Sequence, residues 1–251
     1  MPANTISEVI DQLNEIVNSA LQNSDRAGYF AALYKRVTIA VSEKIKEGYF
    51  DDNARMEKLD VVFANRYLEA YQNHASGKPC TASWQLAFDA IRSWKPMVIH
   101  HLFAGMNAHI SLDLGIAAAT IAPGAGVNDI HNDFNKINIL LSDLVNEVKT
   151  ELFSMWPLSK LLARLNADTL ENDIAGFSMT IARDAAWQEA IDYAPLNDPA
   201  SRESYIAERD KNVTAFGNTL LYPGFWLSTL IYILRIFEFG SVGGKIKKLD
   251  K

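Results

Sequence analysis

The sequence predicts an all-α fold, a single multi-helix bundle of about eight to ten helices around a buried central helix at about residues 97–120. Three observations carry that expectation. Apolar residues recur at three-and-four spacing along most of the chain, no stretch alternates apolar and polar residues for long enough to demand a strand, and the breaks between periodic segments are short. The composition agrees: 49% hydrophobic and 22% charged residues supply a core and exclude a disordered chain of 251 residues.

The first helix runs from Thr5 to about Gln22. Ile6, Val9, Leu13, Ile16 and Val17 share one face, and Thr5 with Glu8 makes a capping box. Its acids Glu8, Asp11 and Glu15 are foreign to a secretion signal, so the expected location is cytoplasmic. The same period recurs through Tyr29–Lys46, Arg55–Tyr71 and Ser83–Trp94, each bounded by Asp, Gly or Pro. After Pro96 it continues at about 97–120, 129–154, 169–193 and 199–219, and the apolar run Phe225–Leu234 comes last. That run has ten residues before Arg235, half of the roughly 20 needed to span a bilayer. It reads as a last core helix, followed by a flexible basic tail at 239–251. The other role open to this end of the chain is to lie on an anionic membrane surface through its aromatic residues, with Lys245, Lys247 and Lys248 beside them. The interruptions at Asn73–Thr81, Ala122–Asn128 and Tyr193–Asp198 lack linker composition, so 1–251 reads as one domain.

Several functions are disfavoured at once. A net charge of −6 does not suit a protein that neutralises nucleic-acid phosphates. The lone Cys80 forms no internal disulfide and no cysteine pair for a zinc finger, and nucleophile-elbow and phosphate-loop motifs are absent.

The chemistry concentrates on the central helix, which is apolar almost all round. His100, Asn107 and Ser111 fall on one side of it, while His101, Gly105, His109 and Asp113 form a row four residues apart. At that spacing His109 and Asp113 can chelate one ion. Gly105 leaves a gap that either admits a ligand or lets a neighbouring helix pack closely. Other helices place acids in apolar arcs: Asp60 beside Met56, Leu59 and Phe63; Asp133 beside Ile130 and Phe134; Asp184 near Phe177 and Ile181. Arg66 or Arg183 is placed to neutralise one of them. Such a set builds either a metal site or a buried salt-bridge network.

The run from Met56 through Asp60 to Tyr67, the run His101-Leu-Phe-Ala-Gly-Met-Asn-Ala-His-Ile-Ser-Leu-Asp-Leu-Gly, and Ala182-Arg-Asp-Ala-Ala-Trp187 resemble a bacterial family catalogued as domain of unknown function 5995. Ser111 stands where that pattern carries Asn. A more distant likeness is to the zinc-dependent phospholipase C and single-strand nuclease superfamily, through the His109–Asp113 pair alone. The chain lacks that superfamily's second such pair and its Gly-Asp-x-x-x-Pro-x-His block, so the likeness implies one or two ions at most.

The leading functional expectation is a metal-dependent hydrolase of an ester or phosphoester, acting on a small-molecule or lipid-like substrate. The divalent ion would be zinc, or iron or manganese, held by His109, Asp113, Asp60 and Asp133. His101 would be acid or base, with Asp60, Asn107 and Arg183 as further catalytic residues. Two rivals stand beside it. One is a non-catalytic helical protein that binds a small apolar molecule, a membrane surface or a partner. The other, ranked third, is terpene-type chemistry through the acids at Asp51, Asp52 and Asp173.

Overall fold

A computed structural model describes residues 1–137, 139–141, 179–222, 224, 228, 229, 232 and 235–251, and every regular element among them is helical. Helix α1 (Ile6–Asn23) starts where the Thr5 hydroxyl accepts from the Glu8 amide at 3.2 Å, and stops where Ser24 enters the left-handed region at φ 53°. Helix α2 (Ala27–Lys46) buries every residue from Ala27 to Tyr34, so its first two turns are enclosed on all sides. Helix α3 (Asn53–Ala75) is capped by Asp52, whose carboxylate accepts from the Arg55 amide at 3.0 Å. The first amides of α4 (Ala82–Ile91), those of Ala82 and Ser83, donate instead to the distant Asp210 carboxylate at 2.6 and 2.9 Å.

The expected central helix spans Val98–Ile121 in three consecutive pieces: α5 (Val98–Ala108), a π-helical turn (His109–Leu114) and α6 (Gly115–Ile121). It is long and apolar enough to cross a membrane, yet 89% of its most apolar stretch is buried inside the protein. A 3-10 segment (Gly124–Ile130) leads into helical residues 131–137. Helix α7 (Met179–Tyr193) precedes α8 (Pro199–Leu221), which opens on an Asp198 cap and a proline in its first turn. The remainder of the helices expected at 129–154 and 169–193 lies outside the described residues, as does most of the run 225–234.

The end of the chain departs from expectation. Instead of a flexible tail, Val242–Leu249 forms helix α9, which packs on α1 and α2. The reason lies in its amphipathic pattern. Ile246 and Leu249 are fully buried, and Lys245 reaches inward to the Glu238 carboxylate at 2.9 Å. Glu238 also accepts from the Val98 amide at 3.0 Å, which fastens this segment to the start of the central helix.

The core forms two apolar clusters. One gathers α1, α2, α4, α5, α9 and the later part of α3; the other gathers the start of α3, the π turn, α6 and α7. The central run passes through both, which places its polar side chains in the interior.

Candidate functional site

The π turn holds the polar centre. Such a turn inserts an extra residue into the helical ladder, a distortion that recurs at functional sites. Here it presents His109 and Asp113 to the same side, towards α2 and α3. The His109 ring is 3% exposed and lies in an aromatic box. Phe63 stacks on it at 3.6 Å with an interplanar angle of 7°, and Tyr34 meets it edge-on at 4.5 Å. Phe30, Trp84 and Tyr67 complete the walls at 5.8 to 6.1 Å.

Asp113 is paired on both oxygens: Oδ1 accepts from Arg66 Nε at 2.7 Å and Oδ2 from Trp84 Nε1 at 2.8 Å. Burial by itself raises its pKa and is the largest influence, but Arg66, His109 and Trp84 together outweigh it and hold the carboxyl below its usual range. His109 Nδ1 faces Asp113 Oδ2 at 3.5 Å, a long contact. Burial depresses the imidazole's pKa more than Asp113 restores it, so the ring is neutral.

Two polar atoms of this box have no hydrogen-bond partner, His109 Nε2 and the Tyr34 hydroxyl, and on α3 Asp60 Oδ2 has none either. Asp60 lies one helical turn before Phe63 on α3 and, after burial itself, is the largest charge acting on Tyr34, followed by Asp113. The Tyr34 hydroxyl therefore feels both carboxylates. Loss of water raises Asp60 to about 7, and Glu57 adds to the shift. Loss of water likewise raises the Tyr34 hydroxyl well above its usual value, so it stays protonated.

A further carboxylate escaped the sequence reading. Glu189 on α7 is 2% exposed and is pushed up to about 8 by burial, against the opposing pull of Arg209, whose Nε stands 3.5 Å from Glu189 Oε2. Gly115 admits it: a Cβ there would lie 2.6 Å from the Ala186 carbonyl and 2.7 Å from Glu189 Cγ. The inward face of α7 is Ala182, Arg183, Ala186, Glu189, Ala190 and Tyr193, while Ile181, Asp184 and Gln188 are exposed. The expected inward Asp184 is thus corrected to Glu189. A stripe of alanines on α7 was the available signal, because close approach to a glycine-bearing helix selects small residues over large apolar ones.

The expected metal shell does not assemble. Asp133 accepts from the Asp51 and Asp52 amides at 2.7 and 3.1 Å, beyond the start of α3, and Arg66 lies about 20 Å further along that helix. Asp133 therefore fastens the turn that precedes α3, remote from Asp113. Among the described residues no three His, Cys, Asp or Glu side chains gather to hold an ion.

The other expected site residues also lie elsewhere. His101 faces Tyr29 at 5.7 Å, and burial, with Arg26 close by, pushes it down to about 3, too low for proton exchange near neutrality. The Gly105 gap is filled by Phe30, whose Cδ2 stands 2.5 Å from where a Cβ would be. Asn107 ties α5 to α8 by donating to the Val213 carbonyl at 2.8 Å. Arg183 donates to the Phe134 carbonyl at 3.0 Å and covers that ring at 4.6 Å, away from the His109 box. Of the sequence-derived candidates, the structure brings together His109 and Asp113, with Arg66 as the neutralising cation, while Asp60 acts on the Tyr34 hydroxyl of the same box.

A family model described as "Family of unknown function (DUF5995)" matches residues 6–223. No curated protein and no solved structure matches the chain.

Proposed function

Because the chain belongs to the DUF5995 family, whose description assigns no chemistry, we propose from the site alone that it is an enzyme of proton-transfer chemistry. Its reaction is the hydrolysis of a small, largely apolar ester at the centre formed by His109, Asp113, Asp60 and Tyr34. The observation that supports this reading is a pair of unpartnered polar atoms inside one aromatic enclosure, His109 Nε2 and the Tyr34 hydroxyl, with the unpartnered Asp60 Oδ2 acting on Tyr34 from α3. Buried polar groups are nearly always hydrogen-bonded, and orphans that cluster call for a ligand or water to meet them.

The roles follow from the electrostatics. Asp113 stays ionised, orients Nδ1–H of His109 and stabilises the imidazolium that forms when Nε2 takes a proton from the attacking water. Asp60, at about 7, is divided between its two forms near neutrality and returns a proton to the leaving alcohol. The Tyr34 hydroxyl donates to the oxygen on which negative charge develops. Aromatic walls favour an uncharged acyl group, and the enclosure must open to admit it.

Hydrolysis of short p-nitrophenyl esters tests the reading. His109→Ala should lower kcat by about 10²–10⁴-fold, and Asp60→Asn should remove the pH dependence centred near 7. Equal rates in wild type and both variants across that range would refute it.

A metal-assisted form of the same hydrolysis is favoured by one observation, that His109 Nε2 and Asp60 Oδ2 are both unspent. A zinc, iron or manganese ion would need a further donor, which the described residues do not bring. Elemental analysis of untagged protein decides it: one ion per chain, lost in His109→Ala, supports this form, and sub-stoichiometric metal unchanged by that substitution removes it.

A further inference from the structure

We propose that the protein docks on anionic lipid bilayers through an aromatic patch formed by Trp94, Tyr232, Ile236, Phe237 and Phe239. These side chains are 41–61% exposed, although large apolar groups are the ones a folded chain normally withdraws from water. Trp94 and Tyr232 share one region of the surface, and Ile236, Phe237 and Phe239 follow Tyr232 closely in the chain. The Trp94 and Tyr232 rings meet edge to face at 5.7 Å, and the Arg235 guanidinium covers the Trp94 ring at 5.0 Å while its Nε donates to the Trp94 carbonyl at 3.0 Å.

The patch is held rigidly, and its polarity runs opposite to that of an ordinary surface. Arg235, Glu238 and Lys245 are buried and joined, with Glu238 Oε2 at 3.0 Å from Arg235 Nη1 and 2.9 Å from Lys245 Nζ. The apolar neighbours of those charges, Ile236, Phe237 and Phe239, point to solvent. The Glu238 bond to the Val98 amide fixes this arrangement to the central helix. A frayed chain end would have no such anchors.

Charge selects the occupant. Residues 92–99 and 235–251 carry seven Lys or Arg against two carboxylates, in a chain whose net charge is −6. Both carboxylates are already used, Glu238 by Arg235 and Lys245 inside the anchor and Asp250 by Lys35 at 2.6 Å, so five of the seven cations lie outside the anchor. Arg92 and Lys95 are exposed and flank Trp94 in the chain, and Lys247 is exposed on α9. Indole, phenol and phenyl groups seat at the headgroup boundary, where flanking cations reach lipid phosphates. A second copy of this acidic chain would have to match the same cations with no free carboxylate in the patch. The inference does not depend on the reaction at His109, since no residue of that site belongs to the patch.

Co-flotation of the full chain with vesicles tests it, using phosphatidylcholine alone and phosphatidylcholine doped with phosphatidylglycerol. Binding should require the anionic lipid, fall with added salt, and weaken by about fivefold for each cation removed in Arg92→Gln and Lys95→Gln. Phe237→Ser with Phe239→Ser should abolish it while far-UV circular dichroism stays unchanged. Equal binding to both vesicle types, no binding at low salt, or flotation that survives all four substitutions would overturn the proposal. So would a concentration-dependent dimer in size-exclusion chromatography that the serine variants dissolve.

Discussion

Burial moves Asp60 and Glu189 in the same direction, to about 7 and about 8, because ionising either one inside the protein forfeits the water that would solvate it. The sign of the consequence follows from linkage. In the unfolded chain Asp60 loses its proton near its ordinary value, whereas the folded protein retains it up to about 7, so folding stability falls as pH rises between those points. Above pH 7 the loss from Asp60 is complete, on the order of 4 kcal/mol. Urea denaturation should therefore show Asp60→Asn losing less stability than wild type between pH 5 and pH 8, and parallel losses would contradict the assignment. Asp113 behaves oppositely because Arg66 and Trp84 occupy both of its oxygens. His109 with Asp113 was legible in the sequence, since four-residue spacing on a wholly apolar helix leaves an acid and an imidazole on one interior side. Their aromatic surroundings were not, because Tyr34, Phe63 and Trp84 come from three different helices.

Close helix approach rests on two glycines of the central run. At Gly105 an added methyl would meet the Phe30 ring, a side chain that can tilt; at Gly115 it would meet the Ala186 carbonyl, which is backbone and cannot move without α7. Overpacking of this kind costs about 1–3 kcal/mol, and alanine's better helix propensity returns about 1 kcal/mol. Thermal denaturation should thus find Gly115→Ala more destabilising than Gly105→Ala, with the reverse order arguing against this packing. The same contact explains why α7 was misjudged from its sequence. Counting apolar bulk points to Ile181 and Ile191, but the face that fits against Gly115 is the one lined by Ala182, Ala186 and Ala190.

At the scale of the molecule, the end of the chain closes the first core cluster. Ile246 is fully buried against Gly28, where a Cβ would stand 2.7 Å from Ile246 Cδ1, and Leu249 is buried beside it. Ile246→Ala should cost about 2–4 kcal/mol, as for other fully buried aliphatic side chains, and a change under about 0.5 kcal/mol would mean that α9 does not dock. The sequence alone determined the helical class, the Thr5 start of α1, the burial of the residues around 97–120 and the shared face of His109 and Asp113. Each of these depends on periodicity or capping within a single element, where neighbours in sequence are neighbours in space. Tertiary structure alone decided that Asp133 holds the turn before α3, that Glu189 rather than Asp184 faces inward, and that α9 docks instead of fraying. Those outcomes depend on which helices meet and how closely, and the energy of such a meeting comes from complementary shape between segments far apart in the chain.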